Sequence, residues 1–149
     1  CSTARSPVCI QPPRNVSAMR MSPLHLDSIA NRLPKLKIIG AHLGNQGNYD
    51  YATSAARWRH NVFFDMSGGE TIERHMVERR LLAANSQGEF GVEKLIFGSD
   101  CGMDEIKDHI DRFDIIYDQL GLTDDERERL WWRNGAELYG LETPSFAAE

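Results

Sequence analysis

The sequence predicts an α/β protein that forms part of an eight-stranded parallel (β/α)8 barrel. Segments 37–44 and 94–100 each carry an apolar run of strand length that ends at an ionisable side chain close to a glycine, as barrel strands do where they present a functional group. Strand and helix patterns alternate three times, which is typical of βαβ units in a parallel sheet. Because the 149 residues fall about 100 short of the roughly 250 in a complete barrel, we expect a partial TIM barrel of about three β/α units followed by carboxyl-terminal helices.

The first part of the chain, residues 1–21, contains three prolines and no sustained periodicity, which predicts a loop. Its short run Val8-Cys9-Ile10 also fits the tail of a strand. Ser22 is a suitable N-cap with Pro23 at the first helical position, and apolar residues then recur at helical spacing until Pro34. We therefore predict one amphipathic helix before the first clear strand.

Three strands and the helices between them follow in alternation. The predicted elements are a strand over 37–42, a helix over about 51–59, a strand over 61–66, a helix over about 71–85 and a strand over 94–97. A loop rich in glycine and asparagine follows the first of these strands.

The last third of the chain predicts helices only. The first has an apolar stripe and ends at Gly121 as its C′ residue; the stripe consists of Ile106, Ile110, Phe113, Tyr117 and Leu120. Thr123 and Glu126 form a capping-box pattern for the next helix, and 134–141 predicts a final short one. We interpret 1–149 as one domain, with barrel units over 22–141 and a tail over 142–149.

Composition excludes several classes of partner. With 17 lysines and arginines against 22 aspartates and glutamates, the net charge of −5 argues against nucleic acid, because no basic stripe is present. No apolar stretch reaches the ~18 residues that a membrane span requires. Three irregularly spaced cysteines form neither a disulfide framework nor a zinc motif, so we expect a reducing cytoplasm. The first residue is Cys1, and we expect that an amino-terminal part is missing.

His42 and Asp100 are the residues that point to chemistry. They follow the first and third predicted strands, and the carboxyl ends of parallel barrel strands open on one face, so the two side chains are expected to converge. An imidazole can bind a metal ion or polarise a carbonyl group, and a carboxylate can bind a divalent ion and accept a proton from water. Together they suggest metal-assisted hydrolysis or a related lyase reaction.

Other ionisable residues have simpler interpretations. Asp65, at the end of the middle strand, is a competing carboxylate, but the sequence that follows it suits an Asx turn. Cys101 is interpreted as a buried small residue rather than a nucleophile, because no neighbouring base is evident. The remaining histidines are interpreted as surface or packing residues away from the carboxyl-end loops; these are His25, His60, His75 and His109.

An ordered set of segments resembles the amidohydrolase-related family typified by aminocarboxymuconate-semialdehyde decarboxylase. The set comprises Leu33 to Gly44, Asn61 to Asp65, Phe97 to Asp100, and the ending Arg133 to Leu141, where Gly135 replaces the usual alanine. The similarity covers residues 22–141. It implies a metal-dependent barrel in which the three clear strands are the sixth, seventh and eighth.

The resemblance also implies roles for the two convergent residues. Asp100 matches the last-strand aspartate that binds the divalent ion and transfers protons, and His42 matches the sixth-strand histidine that assists at the metal-bound water or the substrate. The family's His-x-His pair does not occur in this sequence. The fifth-strand histidine would fall either before Cys1 or, if Val8-Cys9-Ile10 is that strand, at Gln11.

Two functions remain open on this reasoning. The first is the carboxyl-terminal part of a metal-dependent hydrolase or non-oxidative decarboxylase that acts on a small carboxylic acid, lactone or amide. Zinc is the expected metal and manganese the alternative; because a catalytic zinc needs three protein ligands, we expect the isolated chain to be inactive. The second is a non-catalytic half-barrel that associates with itself or with a separate chain, because open sheet edges favour pairing.

Overall fold

Residues 8–10, 22–44, 48–68 and 91–142 are described by a computed structural model of the chain. Within them, the strands form one parallel sheet in which the spatial order equals the chain order. The strands are β1 (Val8–Ile10), β2 (Ile38–Gly40), β3 (Val62–Asp65) and β4 (Leu95–Ile96). The parallel α/β fold is confirmed, and the sheet gains β1 from the segment that the sequence left open between loop and strand.

In the described part of the chain, helices lie between β1 and β2, between β2 and β3, and after β4. They are α1 (Leu24–Arg32), α2 (Tyr49–Trp58), α3 (Ile106–Leu120), α4 (Asp124–Glu128) and α5 (Asn134–Tyr139). Short 3-10 turns lie at Ala41–Gly44 and Val92–Lys94, and a π turn at Arg129–Arg133 joins α4 to α5. None of the helices in the described part of the chain combines the length and the apolarity that crossing a membrane requires.

Most predicted elements occur within two residues of their expected positions. The helix after Ser22 begins at Leu24, whose backbone N–H lies 3.4 Å from the Ser22 hydroxyl oxygen. The capping box of Thr123 and Glu126 is present, and Gly121 ends α3 with a φ of 67°. The predicted helix over 71–85 and the tail from residue 143 lie outside the described residues.

The apolar stripe of α3 is only partly as predicted. Phe113, Tyr117 and Leu120 are buried as predicted. Ile110, which was predicted to belong to the stripe, is 37% exposed, whereas Ile116, which was not, is only 6% exposed. The buried residues of α3 therefore begin at Phe113, and the buried face is confined to the second half of the helix. The first half of α3 is therefore left beside the loop that follows β4.

An aromatic cluster attaches the last helices to β4. The Phe97 ring lies 4.7 Å from Trp131 and 5.4 Å from Phe113, and Tyr117 lies 5.2 Å from Trp131. Tilted and edge-to-face pairs at these separations stabilise beyond their buried area. Burial raises the pKa of the Tyr117 hydroxyl far above its usual value. The cluster lies just beyond β4, close to the strand end that carries Asp100.

Asn134 fixes the start of α5 against the beginning of β4. Its side chain is buried, and its Nδ2 donates to the carbonyl oxygens of Val92 and Leu95, both at 2.7 Å. Buried carbonyl groups that lose a donor carry a desolvation cost. This single side chain therefore connects the carboxyl-terminal helix to the last strand.

We expect Asn134→Ala to lower the free energy of unfolding by about 2 kcal/mol, because two carbonyl groups lose a buried donor. Urea denaturation measures this change. The control is Asn31→Ala on the exposed face of α1, which should shift the free energy by no more than about 0.5 kcal/mol. Equal effects of the two substitutions would contradict the structural role of Asn134.

Candidate active site

His42 lies in the 3-10 turn directly after β2, in a backbone conformation that is uncommon for its residue type. His42 has φ 57° and ψ 41°, and Leu43 has φ 46° and ψ 37°. Non-glycine residues in this left-handed region are sparsely populated and are retained where their surroundings hold them. The His42 backbone N–H donates to Asp65 Oδ1 at 2.8 Å. The side chain at the end of β3 thus holds the turn at the end of β2.

Asp65 also organises the chain that follows it. Its Oδ1 accepts from the Ser67 backbone N–H at 3.1 Å and from the Ser67 hydroxyl at 2.6 Å. The first of these contacts is the Asx turn that the sequence suggested at this aspartate. The second commits the Ser67 hydroxyl proton to the carboxylate, because a carboxylate can only accept.

Ser67 in turn sets the protonation pattern of His42. Its oxygen lies 2.8 Å from His42 Nδ1, and since the hydroxyl proton is directed at Asp65, the oxygen accepts here. The proton of the neutral imidazole is therefore assigned to Nδ1, and Nε2 presents its lone pair. Ser67 was missed by the sequence analysis, and it is buried directly behind the imidazole.

Asp100 follows β4 and lies on the Nε2 side of the His42 ring, away from the Nδ1 atom that contacts Ser67. Its Oδ2 is 3.8 Å from His42 Nε2, and the two side chains are 54% and 15% exposed respectively. Asp100 also has a left-handed backbone, with φ 50°. The structure thus brings together the two residues that the sequence singled out, a half-buried imidazole facing an exposed carboxylate.

Gly98 allows the end of β4 to approach the turn after β3. A Cβ atom at this position would lie 3.3 Å from Ser67 Cβ and 3.5 Å from Asp65 Cβ. The first of these distances is tight enough that a side chain at position 98 would require Ser67 to shift by a few tenths of an ångström. The absence of a side chain keeps the strand ends close.

The other histidines are placed as follows. His25 and His60 are exposed, and a ring nitrogen of His60 lies 3.1 Å from the Pro34 carbonyl oxygen. His109 corrects the sequence interpretation: it lies next to the loop after β4, where ligand atoms of Cys101, Glu105 and His109 are all within 4.8 Å of one another. His75 and Gln11 lie outside the described residues.

Cys101 also differs from its expected environment. It is half-buried and its thiol is not in a disulfide, whereas the sequence analysis expected a fully buried small residue. The buried residues of α3 all lie in its second half, so the loop before the helix stays partly open.

The His42–Asp100 pair fits two positions in the coordination sphere of a divalent ion. Donor atoms bound to one tetrahedral ion at about 2.0–2.2 Å lie roughly 3.3–3.6 Å apart, and the observed 3.8 Å separation reaches this with a small side-chain movement. Nε2 offers its lone pair because Nδ1 is engaged with Ser67. A catalytic zinc takes three protein ligands, so further ligands would have to come from elsewhere.

The sequence matches the amidohydrolase family over residues 6–141. No curated protein matches it.

Solved structures share the fold. An uncharacterised TIM-barrel protein from Bordetella bronchiseptica has a TM-score of 0.65 and 17% identity over 89% of this chain and 44% of its own. An amidohydrolase from Burkholderia multivorans, solved with bound zinc, has a TM-score of 0.60 and 18% identity over 90% of this chain and 52% of its own. A dihydroxybenzoic acid decarboxylase from Polaromonas, solved with manganese and the inhibitor 2-nitroresorcinol, has a TM-score of 0.56 and 18% identity over 85% of this chain and 40% of its own.

At these identities the likeness establishes the fold, which is that of a TIM barrel. The chain spans about half the length of the solved structures it matches. Its four strands therefore correspond to part of a barrel.

Proposed function

The chain belongs to the amidohydrolase family, and on that premise we propose that it supplies the His42–Asp100 part of a metal-dependent active site in a hydrolase or a non-oxidative decarboxylase. The observation that carries this proposal is the 3.8 Å approach of His42 Nε2 to Asp100 Oδ2 at the carboxyl ends of β2 and β4, which lie on either side of β3 in the parallel sheet. Functional groups of barrel enzymes lie at this end of the strands.

The two side chains differ in exposure, and we assign them different roles. Asp100 is more than half exposed, so its carboxylate can reach a substrate or a water molecule and accept a proton from it. His42 is held by Asp65 and Ser67, so the lone pair of its Nε2 is fixed in position to bind the ion or to accept a proton from bound water or the substrate. A bound divalent ion would polarise the substrate oxygen and make bound water more acidic.

Zinc is the proposed metal and manganese the alternative. Imidazole and carboxylate suit both ions, and two proteins of this fold were solved with zinc and with manganese. The proposed substrates are small molecules that carry a carboxylic acid, a lactone or an amide. We propose a reducing cytoplasm as the compartment, in agreement with the free thiol of Cys101.

The proposal includes inactivity of this chain by itself. Among the described residues, the strand ends contribute His42 and Asp100 as ligands, which is one ligand short of a catalytic zinc site. The matched structures are about twice as long, and the strands that precede β1 in such a barrel would supply the remaining ligands. We call the chain together with those amino-terminal strands the assembled barrel.

The test is made on the assembled barrel, produced by fusing or co-expressing this chain with the amino-terminal strands of a related amidohydrolase. A panel of lactones, amides and aromatic carboxylic acids is assayed before and after chelation, and after adding back zinc or manganese. We expect turnover of one class that is lost on chelation and restored by one of the ions. A folded, constant-mass oligomer with no turnover and no metal uptake would instead favour the non-catalytic half-barrel.

Ser67 provides a separate prediction about the imidazole. We expect Ser67→Ala to lower turnover of the assembled barrel by about tenfold, because Nδ1 loses the acceptor that holds the tautomer and the ring orientation. Nitrogen NMR chemical shifts of His42 should change from an Nδ1-protonated pattern to a mixture of tautomers. The control is Ser28→Ala on the exposed face of α1, which should alter neither value. An unchanged tautomer in Ser67→Ala would contradict the assignment.

A further inference from the structure

We propose that Cys101, Glu105 and His109 form a second binding site, separate from the His42–Asp100 pair, for a zinc-like divalent cation. The three residues recur at a spacing of four along the chain, from the loop after β4 into the first turn of α3. Their ligand atoms, a thiol sulfur, a carboxylate oxygen and an imidazole nitrogen, all lie within 4.8 Å of one another.

The local backbone explains why these side chains share one face. The Glu105 N–H donates to the Gly102 carbonyl at 3.0 Å, and the His109 N–H donates to the Glu105 carbonyl at 3.2 Å. The first contact closes a turn between Cys101 and the helix, and the second is a helical contact that sets Glu105 below His109. Side chains four residues apart lie on the same face of a helix, and the turn adds Cys101 to that face.

The chemistry of the three donors favours zinc over calcium or magnesium. Thiolate and imidazole ligands select zinc and related transition metals, whereas the harder ions require oxygen ligands. Donor atoms on a common zinc ion lie about 3.3–3.8 Å apart, so the present spacing closes on an ion with side-chain movements of about 1 Å. Cys101 and His109 are half-buried and Glu105 is exposed, which leaves a route for the ion and a fourth position for water.

Two features lower the expected affinity. Arg112 Nη2 lies 3.1 Å and 3.3 Å from the ring nitrogens of His109, so a positive charge is close to the site. The site also lies at the amino-terminal end of α3, where the helix dipole repels cations. We therefore expect weaker binding than in a structural zinc site, in which all ligands are buried and closed around the ion.

The experiment separates this site from the proposed active site by measuring binding in this chain rather than turnover. The titrations use a His42→Asn, Asp100→Asn double variant, so that the first pair cannot bind the ion. Addition of Co²⁺ alone should produce the near-ultraviolet charge-transfer absorption of a cobalt–thiolate bond, and Zn²⁺ should displace it with one equivalent. Failure of turnover in the assembled barrel would leave this result unaffected.

Single substitutions in that background identify the ligands. Cys101→Ser should abolish the absorption, and His109→Ala should weaken Zn²⁺ binding by about 100-fold, because even loss of an indirect partner costs about 10–100-fold. Cys1→Ser and His60→Ala are the matched controls and should change neither. If Cys101→Ser or His109→Ala does not fold by circular dichroism, Glu105→Gln, which changes an exposed side chain, replaces it and should weaken Zn²⁺ binding about tenfold. Absence of the cobalt–thiolate absorption, or Zn²⁺ binding that survives these substitutions, would overturn the proposal.

Discussion

Replacing Asp100 by asparagine in the assembled barrel is expected to lower kcat/KM by about 1,000-fold or more, within the range for loss of a general acid or base. The carboxylate is the exposed partner of the His42–Asp100 pair and the group assigned to accept a proton. Asparagine has nearly the same shape and also tolerates the left-handed backbone of this position. The loss would therefore report the missing charge rather than a strained loop.

His42→Asn is likewise expected to lower kcat/KM of the assembled barrel without straining the backbone. Asparagine tolerates the φ of 57° at this position, whereas alanine would combine loss of the imidazole with backbone strain. We expect a loss of about 100-fold or more, because a positioned histidine contributes that much to proton transfer.

Matched substitutions outside the site serve as controls for both changes. Asp104→Asn alters an exposed carboxylate in the same loop as Asp100, and His60→Asn alters an exposed histidine just before β3. Both controls should retain wild-type turnover. Turnover that survives Asp100→Asn and His42→Asn would make the pair structural and would remove the basis of the proposed function.

The sequence was sufficient to predict the strand ends, for a physical reason. A barrel strand that is buried on both faces requires a continuous apolar run, so the first ionisable residue after it marks the mouth of the barrel. Ile38-Ile39 before His42, and Leu95-Ile96 before Asp100, follow this rule. Convergence of the two side chains then follows from parallel topology.

The sequence did not predict the role of Ser67 or the position of His109. The first depends on interatomic distances, and the second depends on which side of α3 faces the loop after β4. Ser67 is one of ten serines in the sequence, and its role appears only when the direction of its hydroxyl proton is traced to Asp65. His109 was interpreted as a surface or packing residue away from the carboxyl-end loops, because it lies on a predicted helix. The first turn of α3 adjoins the loop after β4, so His109 lies beside Cys101.

Both members of the proposed catalytic pair have left-handed backbones, each of which costs on the order of 1–3 kcal/mol unless the surroundings compensate. For His42 the compensation is visible: its N–H donates to Asp65 Oδ1, which also holds Ser67. The Asp65 carboxylate at the end of β3 therefore holds the backbone of the turn after β2 directly, and it holds the imidazole of His42 through Ser67. We propose that Asp65 positions His42 and does not itself contact a substrate.

Asp65→Ala is accordingly expected to lower the free energy of unfolding by about 3 kcal/mol and turnover of the assembled barrel by about 100-fold. The carboxylate accepts three hydrogen bonds, from the His42 N–H and from the Ser67 N–H and hydroxyl, and a typical intramolecular hydrogen bond contributes about 1 kcal/mol net. Urea denaturation and kcat/KM measure the two effects.

Asp65→Asn is the matched variant, because its amide oxygen can still accept from the backbone of His42 and Ser67 while the negative charge is lost. We expect it to cost about 1 kcal/mol and to retain most of the turnover that Asp65→Ala loses, since the positions of His42 and Ser67 depend on an acceptor at this point. If Asp65→Asn is as inactive as Asp65→Ala although it remains folded, the charge of Asp65 takes part in the reaction, and its assignment as a positioning residue is wrong. If neither variant changes turnover, the left-handed turn at His42 is held by its own packing, and the connection from β3 to the imidazole carries no function.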